Sequence, residues 1–477
     1  MIQINTNILP ETKGAYLVGG SIRDLLLGRS PVDYDIAVLG NPEKFAKKIA
    51  AKISGHIVKL GKPGQAIIRV VSGNNIFDIS SVIGATIEDD LGKRDFTINA
   101  IACSLSSKKI IDRLGGMDDI VAKKVRMVSR KVFKRDPIRL IRAYRMGASL
   151  GFEIEPHTSS AIRNDADLIQ DSAGERIRTE LFKIFNTSKS HCYISQMADT
   201  GLLFSIFPEL CELKGCLQNT YHSYDVFEHT MKAFYHLEAL LNDYSKAMPA
   251  IPDPNILDIG HKAAWLKCAI LLHDIGKPCV KTVDSKGNIH FYGHGQKSAD
   301  MAKAITKRLK FSNREILYID FIVRNHIRPL FLFTAYQKKT LTDKSITSFF
   351  NKCGDNTPAL LLHTIADIQG KGNKGDARDE DFINFAEKMI QDYISVFKPE
   401  KKQPPLLTGY DLITEFGLTP SPLFKIILNH VEKARLCKTI GSKEDALILA
   451  KKIITTQAYR LKAVRKKHIL KPCLVQD

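Results

Sequence analysis

The chain has 477 residues, several times the length of a typical single domain, so at least three folding units with their own cores are expected. Hydrophobic residues make up 44% and charged residues 25%, a balance that excludes a disordered chain and a membrane-embedded one. Lys and Arg number 70 against 51 Asp and Glu, and the formal charge of +19 points to a polyanionic partner, with a solubility surface as the plainer reading of the same excess.

The nine cysteines are scattered without a C-x-x-C pair, which argues against a zinc ribbon or a disulfide framework and suits a reducing cytosol. Met1 to Lys13 lacks an apolar signal core, and no run approaches the length of a bilayer span. A soluble, cytoplasmic protein without membrane association is the expectation.

In chain order, residues 15–18, 34–39, 56–60, 66–71 and 76–79 are short apolar or alternating runs punctuated by Gly, Asn and Pro, and they predict strands. Ser21 to Leu27 and Pro42 to Ile53 have helical spacing, which makes the first part an α/β unit with a mixed sheet. From Ser129 to Leu213 the pattern is almost wholly helical. A second helical region runs from Tyr221 to about Gly370, interrupted by a Pro-rich loop at Met248 to Pro254. Gly370 to Asp381 and Lys398 to Pro405 predict exposed connections, and a helical tail follows, with a turn at Pro420 to Pro422. The basic stretch Tyr459 to Lys471 reads as a frayed, solvated end, with an RNA contact as the alternative. The expected division is a head at 1–125, a helical neck at 126–220, a second helical domain at 221–372 and a tail at 373–477.

The segment LVGGSIRDLLLGRSPVDYDIAVLG carries a strand, a Gly19-Gly20 turn, a short helix, and then Asp33 and Asp35 on the next strand. Residues two apart on a strand share a face, so the two carboxylates converge and need a cation. Hard oxygen ligands suit Mg²⁺, whose remaining positions a nucleotide triphosphate would fill. At Gly20 the bare backbone lets N–H groups approach an anion at the helix N-terminus, with Arg23 one turn on. These are the parts of phosphoryl transfer, with Asp33 and Asp35 as the catalytic pair.

The ordered pattern GG…RD…LLG…D.D resembles the class II nucleotidyltransferases, which comprise CCA-adding tRNA nucleotidyltransferases, their CC-adding and A-adding relatives, and bacterial poly(A) polymerases. KRDFTINAIA, Lys93 to Ala102, is similar to the family's RRDF motif. The resemblance implies that Arg94 and Asp95 lie around sugar and phosphates, with Asn99 assisting. RDPIRLIRAYRMGASLGFEI, Arg135 to Ile154, resembles the motif that chooses the base. It implies Asp136 and Arg139 as an amino-acid template, a carboxylate accepting from an exocyclic amine while a guanidinium donates to ring acceptors. Arg142 and Arg145 follow at helical spacing and are expected at the triphosphate. ERIRTEL, Glu175 to Leu181, is expected to brace the neck. Asp78 ends a strand and is read as structural, with a third metal carboxylate as the alternative.

Two features depart from the family's pattern. The interval Ile79 to Asp90, ISSVIGATIEDD, is short where many CCA-adding members carry a mobile segment, and in this it resembles the CC-adding branch. Arg135 stands where the family usually has an acid. The implied partners are tRNA, CTP and ATP; the rival readings are CC addition alone, poly(A) synthesis, or a phosphohydrolase whose head merely binds nucleotide.

Further on, His229, then His273 and Asp274 in AILLHDIGKP, then Asp367 in HTIADIQGK, give the order H…HD…D. This resembles the HD superfamily of metal-dependent phosphohydrolases. Mixed imidazole and carboxylate ligands suit a divalent transition metal such as Ni, Mn, Co, Fe or Zn. His294 and His326 fall where two-metal members place additional ligands. The resemblance implies phosphodiesterase and phosphatase activity toward tRNA ends, with a catalytically silent helical platform as the alternative.

Overall fold

A computed structural model describes the backbone of residues 9–60, 67–218, 223–244, 257, 259–372 and 377–469; side chains are described in the same spans as far as residue 456, apart from Ala377. The Pro-rich loop expected at 248–254 and the whole of the basic stretch expected at 459–471 lie outside the described side chains.

Seven strands form the head: β1 Ala15–Val18, β2 Tyr34–Val38, β3 His56–Leu60, β4 Ile67–Ser72, β5 Asn75–Ser81, β6 Ala102–Ser104 and β7 Ile110–Ile111. They lie in the order β3-β4-β5-β2-β1-β6-β7. Only β2 and β5 run parallel, with Asp35 opposite Asp78, so the sheet is mixed as expected. The helix Pro42–Ile53 covers it. Asn41 caps that helix by accepting from the Lys44 N–H at 3.0 Å, Pro42 fits its first turn, and Phe45, Ala46 and Ile49 are buried in one core with Ile36, Val70 and Phe77. Each large apolar side chain so buried contributes about 1.5–3 kcal/mol. The strands β6 and β7 were not legible in the sequence; at three and two residues they are too short for an alternating pattern to register.

The neck begins with the helix Arg139–Leu150, which buries Leu140, Ile141, Ala143, Tyr144 and Met146. Its Gly147 is required by contact: a Cβ there would lie 2.5 Å from Tyr193 Cε1 and 2.9 Å from the Phe152 carbonyl oxygen. Tyr193 donates to that same carbonyl at 3.0 Å, locking the helix Ser190–Asp199 onto the first. The next domain is built on the helices Val226–Asn242, Ala263–Leu272, His294–Arg308, Asn313–Asn325 and Thr357–Gln369. Ser312 and Glu315 form a reciprocal cap at the start of the fourth. No described helix is long and apolar enough to cross a membrane.

Two expected connections are partly helical. Ala377–Asp392 is a helix beginning inside the predicted link, because Asp379 and Glu380 favour a helix N-terminus and Phe382, Phe385, Ala386, Met389 and Ile390 supply a buried stripe. Lys398–Lys402 is also helical, continuing from the π-turn Tyr393–Phe397 with Pro399 tolerated in its first turn. The tail helices Gly409–Phe416 and Pro422–Leu436 join the helix Lys443–Ile469 around a separate core of Leu407, Leu412, Ile427, Val431, Ala446 and Ala450.

One buried charge pair ties the neck to the helices beyond it. Lys267, on the otherwise apolar helix Ala263–Leu272, donates to Glu238 Oε1 at 2.8 Å, to Ser190 Oγ at 2.9 Å and to the Thr187 carbonyl at 2.8 Å. Both charged side chains are buried, and Ser190 also donates to Glu238. Removing one partner leaves an uncompensated charge at a cost of about 3–5 kcal/mol, whereas an apolar pair of similar volume is close to neutral. Lys267→Ala is therefore expected to lower unfolding free energy by about that amount in urea titration, and Lys267→Met with Glu238→Leu to recover most of it.

Candidate active site and candidate metal centre

The glycine turn joins β1 to the helix Gly19–Leu26. Gly19 has φ +70°, and a Cβ there would sit 2.9 Å from Arg94 Nη1 and 3.1 Å from Asp35 Oδ2, so only glycine fits both the backbone and the space. Ser21 Oγ accepts from the Asp35 N–H at 2.6 Å and donates to the Asp33 carbonyl at 3.1 Å, which pins the carboxylate strand to the turn. Asp78 lies beside Asp35 across the parallel pair and takes both Nε and Nη2 of Arg69 at 2.7 Å. Asp78, read as structural, thus belongs to the acidic cluster, and Arg69, absent from the sequence reading, partly neutralises it. Burial first, then the Asp33 and Asp78 charges, push the Asp35 carboxyl up to about 6 against the opposing pull of Arg94 and the Gly20 N–H. A divalent cation would reverse that strain, so the residues fit one.

The other head residues form a relay. Arg23 is buried; it pairs with Asp24 Oδ1 at 2.7 Å and donates to Asn99 Oδ1 at 2.7 Å. Asn99 donates onward to Asp95 Oδ1 at 3.0 Å, and Arg142 of the neck grips Asp95 Oδ2 through Nε at 2.9 Å and Nη2 at 2.6 Å. Burial opposes the Asp95 charge, but Arg142 and Asn99 outweigh it and hold the carboxyl down to about 2. Arg94 pairs with Asp90, and Arg145 with Glu180 on the helix Gly174–Phe185. Arg139 Nη1 donates to the Lys93 carbonyl at 3.1 Å. Asp136 receives both Nη atoms of Arg176 at 2.9 Å. The arginines expected at the triphosphate therefore all have protein partners, and Arg145 braces two neck helices. Arg176, lying in the ERIRTEL segment, was not singled out because helix periodicity cannot show which acid it reaches.

In the helical domain, five helices converge on one point. His229 lies in the first turn of Val226–Asn242, His273 closes Ala263–Leu272, His294 opens its helix, His326 follows Asn313–Asn325, and Asp367 is near the end of Thr357–Gln369. Ligand atoms of His229, His273, Asp274 and Asp367 all lie within 4.8 Å of one another, and so do those of Asp274, His294 and His326. Asp274 is shared. His273, His294 and His326 each place Nδ1 on the carbonyl three residues back, at 2.7, 2.8 and 2.6 Å. A carbonyl only accepts, so Nδ1 carries the proton and Nε2 presents a lone pair to the centre.

Two observations show that this centre fits cations. His294 Nε2 and His326 Nε2 face each other at 3.2 Å. Burial lowers both, His326 to about 3, so neither takes up a proton readily and two acceptors oppose each other. In the other half, protein groups alone balance Asp274 and Asp367 only by charging an imidazole: burial opposes it, yet the two carboxylates hold His273 up to about 10. Asp274 is itself held well below the usual carboxylate range, burial being outweighed by His273 and Lys277. A divalent metal suits both halves.

Two residues here went unread in the sequence. Lys277, in HDIGKP, places Nζ 2.6 Å from Asp274 Oδ2 and 2.7 Å from Gln218 Oε1. His363 is fully buried, its ring 5.3 Å from that of His273 and 5.8 Å from that of His326, and neither ring nitrogen has a hydrogen-bond partner among the described residues. The signal was present: His363 is one helical turn before Asp367 and shares its face. A cavity of about 400 Å³ opens from Asp274, His294, His326 and Asp367 to solvent.

Comparison with known proteins gives family matches in three segments of the chain. The poly A polymerase head domain matches residues 15–126, the "Probable RNA and SrmB- binding site of polymerase A" residues 151–214, and the HD domain residues 226–343. The A-adding tRNA nucleotidyltransferase of Deinococcus radiodurans is 31% identical over 445 residues, covering 92% of this chain and 95% of the relative. The CC-adding enzyme of Thermus thermophilus is 28% identical, covering 91% and 92%. Among solved structures, the Thermotoga maritima CCA-adding enzyme complexed with tRNA has a TM-score of 0.59 at 21% identity, covering 93% of this chain and 91% of that one, a likeness of fold. By the extent of its similarity to the Deinococcus enzyme, this chain belongs to the tRNA nucleotidyltransferase family.

Proposed function

We propose that this nucleotidyltransferase extends the 3′ end of tRNA with C from CTP in building the CCA terminus, a cytoplasmic reaction, and that its HD domain is a phosphohydrolase acting on the same RNA end. The observation that carries the first part is the relay from the Gly19-Gly20 turn through Arg23, Asn99 and Asp95 to Arg142, which ties the carboxylate strand to the helix of the base template.

Asp33 and Asp35 would hold Mg²⁺, which when bound neutralises the triphosphate and eases loss of the 3′-hydroxyl proton. The head presents the turn's N–H groups and Arg94 beside these carboxylates. Asp136 and Arg139 supply the template. Arg176 occupies one lone pair on each Asp136 oxygen, leaving others for an exocyclic amine, and Arg139 keeps donors beyond the one it gives Lys93. In the HD domain, His229, His273, Asp274, Asp367, His294 and His326 would hold one or two transition-metal ions, Ni, Mn, Co, Fe or Zn, which when bound activate water against a phosphoester. The backbone carbonyls keep three of those imidazoles aimed, and Lys277 adds positive charge at the cavity wall.

C addition is favoured by the segment after β5. Between Ser81 and the helix Ile87–Leu91, Ile83 donates to Asp90, Lys93 to the Ile83 carbonyl, and Ala85 and Thr86 to Asp89, so the segment is tied down instead of free to swing. A addition onto tRNA already ending in CC is the second reading, favoured by the 31% identity to an A-adding enzyme. Incubation of the purified protein with tRNA lacking CCA, or ending in CC, and each nucleotide separately distinguishes them. C incorporation from CTP is expected; incorporation of A alone, and only onto CC, overturns the first reading.

The two centres are separable. Asp33→Ala is expected to lower nucleotide incorporation by about 10³-fold, the several kcal/mol a metal's charge supplies, while leaving phosphoester hydrolysis intact. Asp367→Ala should do the reverse and lose bound transition metal on elemental analysis. Asp136→Ala should relax base choice by about 10- to 100-fold, measured as the ratio of kcat/KM for CTP over UTP, since a bidentate contact carries about 1–3 kcal/mol of discrimination.

A further inference from the structure

The HD cavity has a second feature that metal chemistry does not use. Its rim is aromatic, with Tyr292 76% exposed and Phe331 68% exposed above a floor of Asp274, His294, His326 and Asp367. Both rings line the same cavity as these four side chains, so they border the candidate metal ligands.

Tyr292 is held in a fixed attitude. A small hairpin, Thr282–Val283 paired with Ile289–His290, leads directly to it. At the hairpin tip Asp284 accepts from the Lys286 and Asn288 N–H groups and from Asn288 Nδ2, each at 2.9 Å, and its Oδ2 lies 3.1 Å from His290 Nε2. His290 in turn stacks on Tyr292, ring centroids 5.2 Å apart and planes 11° from parallel. The hairpin therefore presents a pre-stacked pair of flat rings beside a metal centre, and Lys277 and Lys371 add cationic charge to the same cavity. A planar aromatic next to a metal and cations matches a ligand with one planar and one anionic part.

Resting on the HD phosphohydrolase reading, we propose that Tyr292 and Phe331 form a base-binding subsite, so that the HD centre takes a phosphate ester carried by a nucleoside at an RNA end and selects against esters without a base. Stacking accepts any base, because each has a π-face, so the subsite selects for a nucleotide end without reading its sequence.

The test uses the full chain loaded with Mn²⁺ or Ni²⁺ and two substrates: cytidine 2′,3′-cyclic phosphate, and methyl riboside 2′,3′-cyclic phosphate, which lacks the base. Tyr292→Ala is expected to raise KM for the first by about 10-fold, the loss of one stacking contact, with kcat unchanged. KM for the base-free ester should not move, Phe331→Ala should act in the same direction, and Tyr292→Phe should restore the wild-type value. A rise in KM shared equally by both esters, or no rise for either, overturns the subsite. If the wild-type protein hydrolyses neither ester, the phosphohydrolase reading fails, and equilibrium binding of cytidine 3′-monophosphate against ribose 3-phosphate decides the subsite separately. Tighter binding of the nucleotide that Tyr292→Ala abolishes supports it; equal binding in the wild type overturns it.

Discussion

The ion pair between Asp95 and Arg142 is the contact on which the arrangement of the transferase site depends. It joins a head residue to a neck residue 47 positions away, and the carboxylate is buried while the arginine is half-buried. A buried carboxylate of this kind is tolerated only when fully engaged, and Asp95 is: Arg142 takes one oxygen, while Asn99 and the Phe96 N–H take the other. Because Asn99 also receives Arg23, the glycine turn, the RDF segment and the helix Arg139–Leu150 form one connected body. A shift of the neck relative to Asp33 and Asp35 would have to break a charge-assisted contact. The register between the helix Arg139–Leu150 and the strand that carries Asp35 is therefore held by these polar groups together with apolar packing.

Charge burial organises the HD centre in a different way. There the carboxylates of Asp274 and Asp367 are balanced by imidazoles and Lys277, and two histidines meet lone pair to lone pair. The arrangement is poor as a network of protein groups and good as a ligand set, which is how preformed metal sites differ from structural ion pairs. Five helices contribute to it, so a metal held there would also tie those helices together. His363, buried beside His273 and His326 and without a hydrogen-bond partner among the described residues, extends the cluster.

Much of this was legible in the sequence because spacing carries it. Five of the seven head strands and the helix at Pro42–Ile53 follow from apolar periodicity bounded by Gly, Pro and Asn; the expectation that Asp33 and Asp35 share a strand holds only for Asp35, because β2 begins at Tyr34 and Asp33 lies in the exposed bend before it. What spacing does not carry is the partner across the fold. Nothing near Asp78 in sequence says that a parallel pairing sets it beside Asp35, or that Arg69 will grip it from the next strand. Arg142 and Arg145 look alike on a helical wheel, yet one reaches Asp95 in the head and the other Glu180 in the neck. The short strands β6 and β7 and the helix at Ala377–Asp392 were hidden for local reasons, the former by length and the latter by a charged, glycine-rich start that masked the apolar stripe after it.

Arg135 adds positive charge next to Asp136, the carboxylate proposed to read a base. Arg176 fixes that carboxylate's plane with two parallel hydrogen bonds. The pair is partly exposed, 54% on the arginine side and 30% on the aspartate side, so its contribution to stability is at most about 1 kcal/mol. Its worth lies in orientation. A carboxylate with both oxygens held by a neck helix keeps its remaining lone pairs in fixed directions, which is what the proposed reading of a base through an exocyclic amine requires.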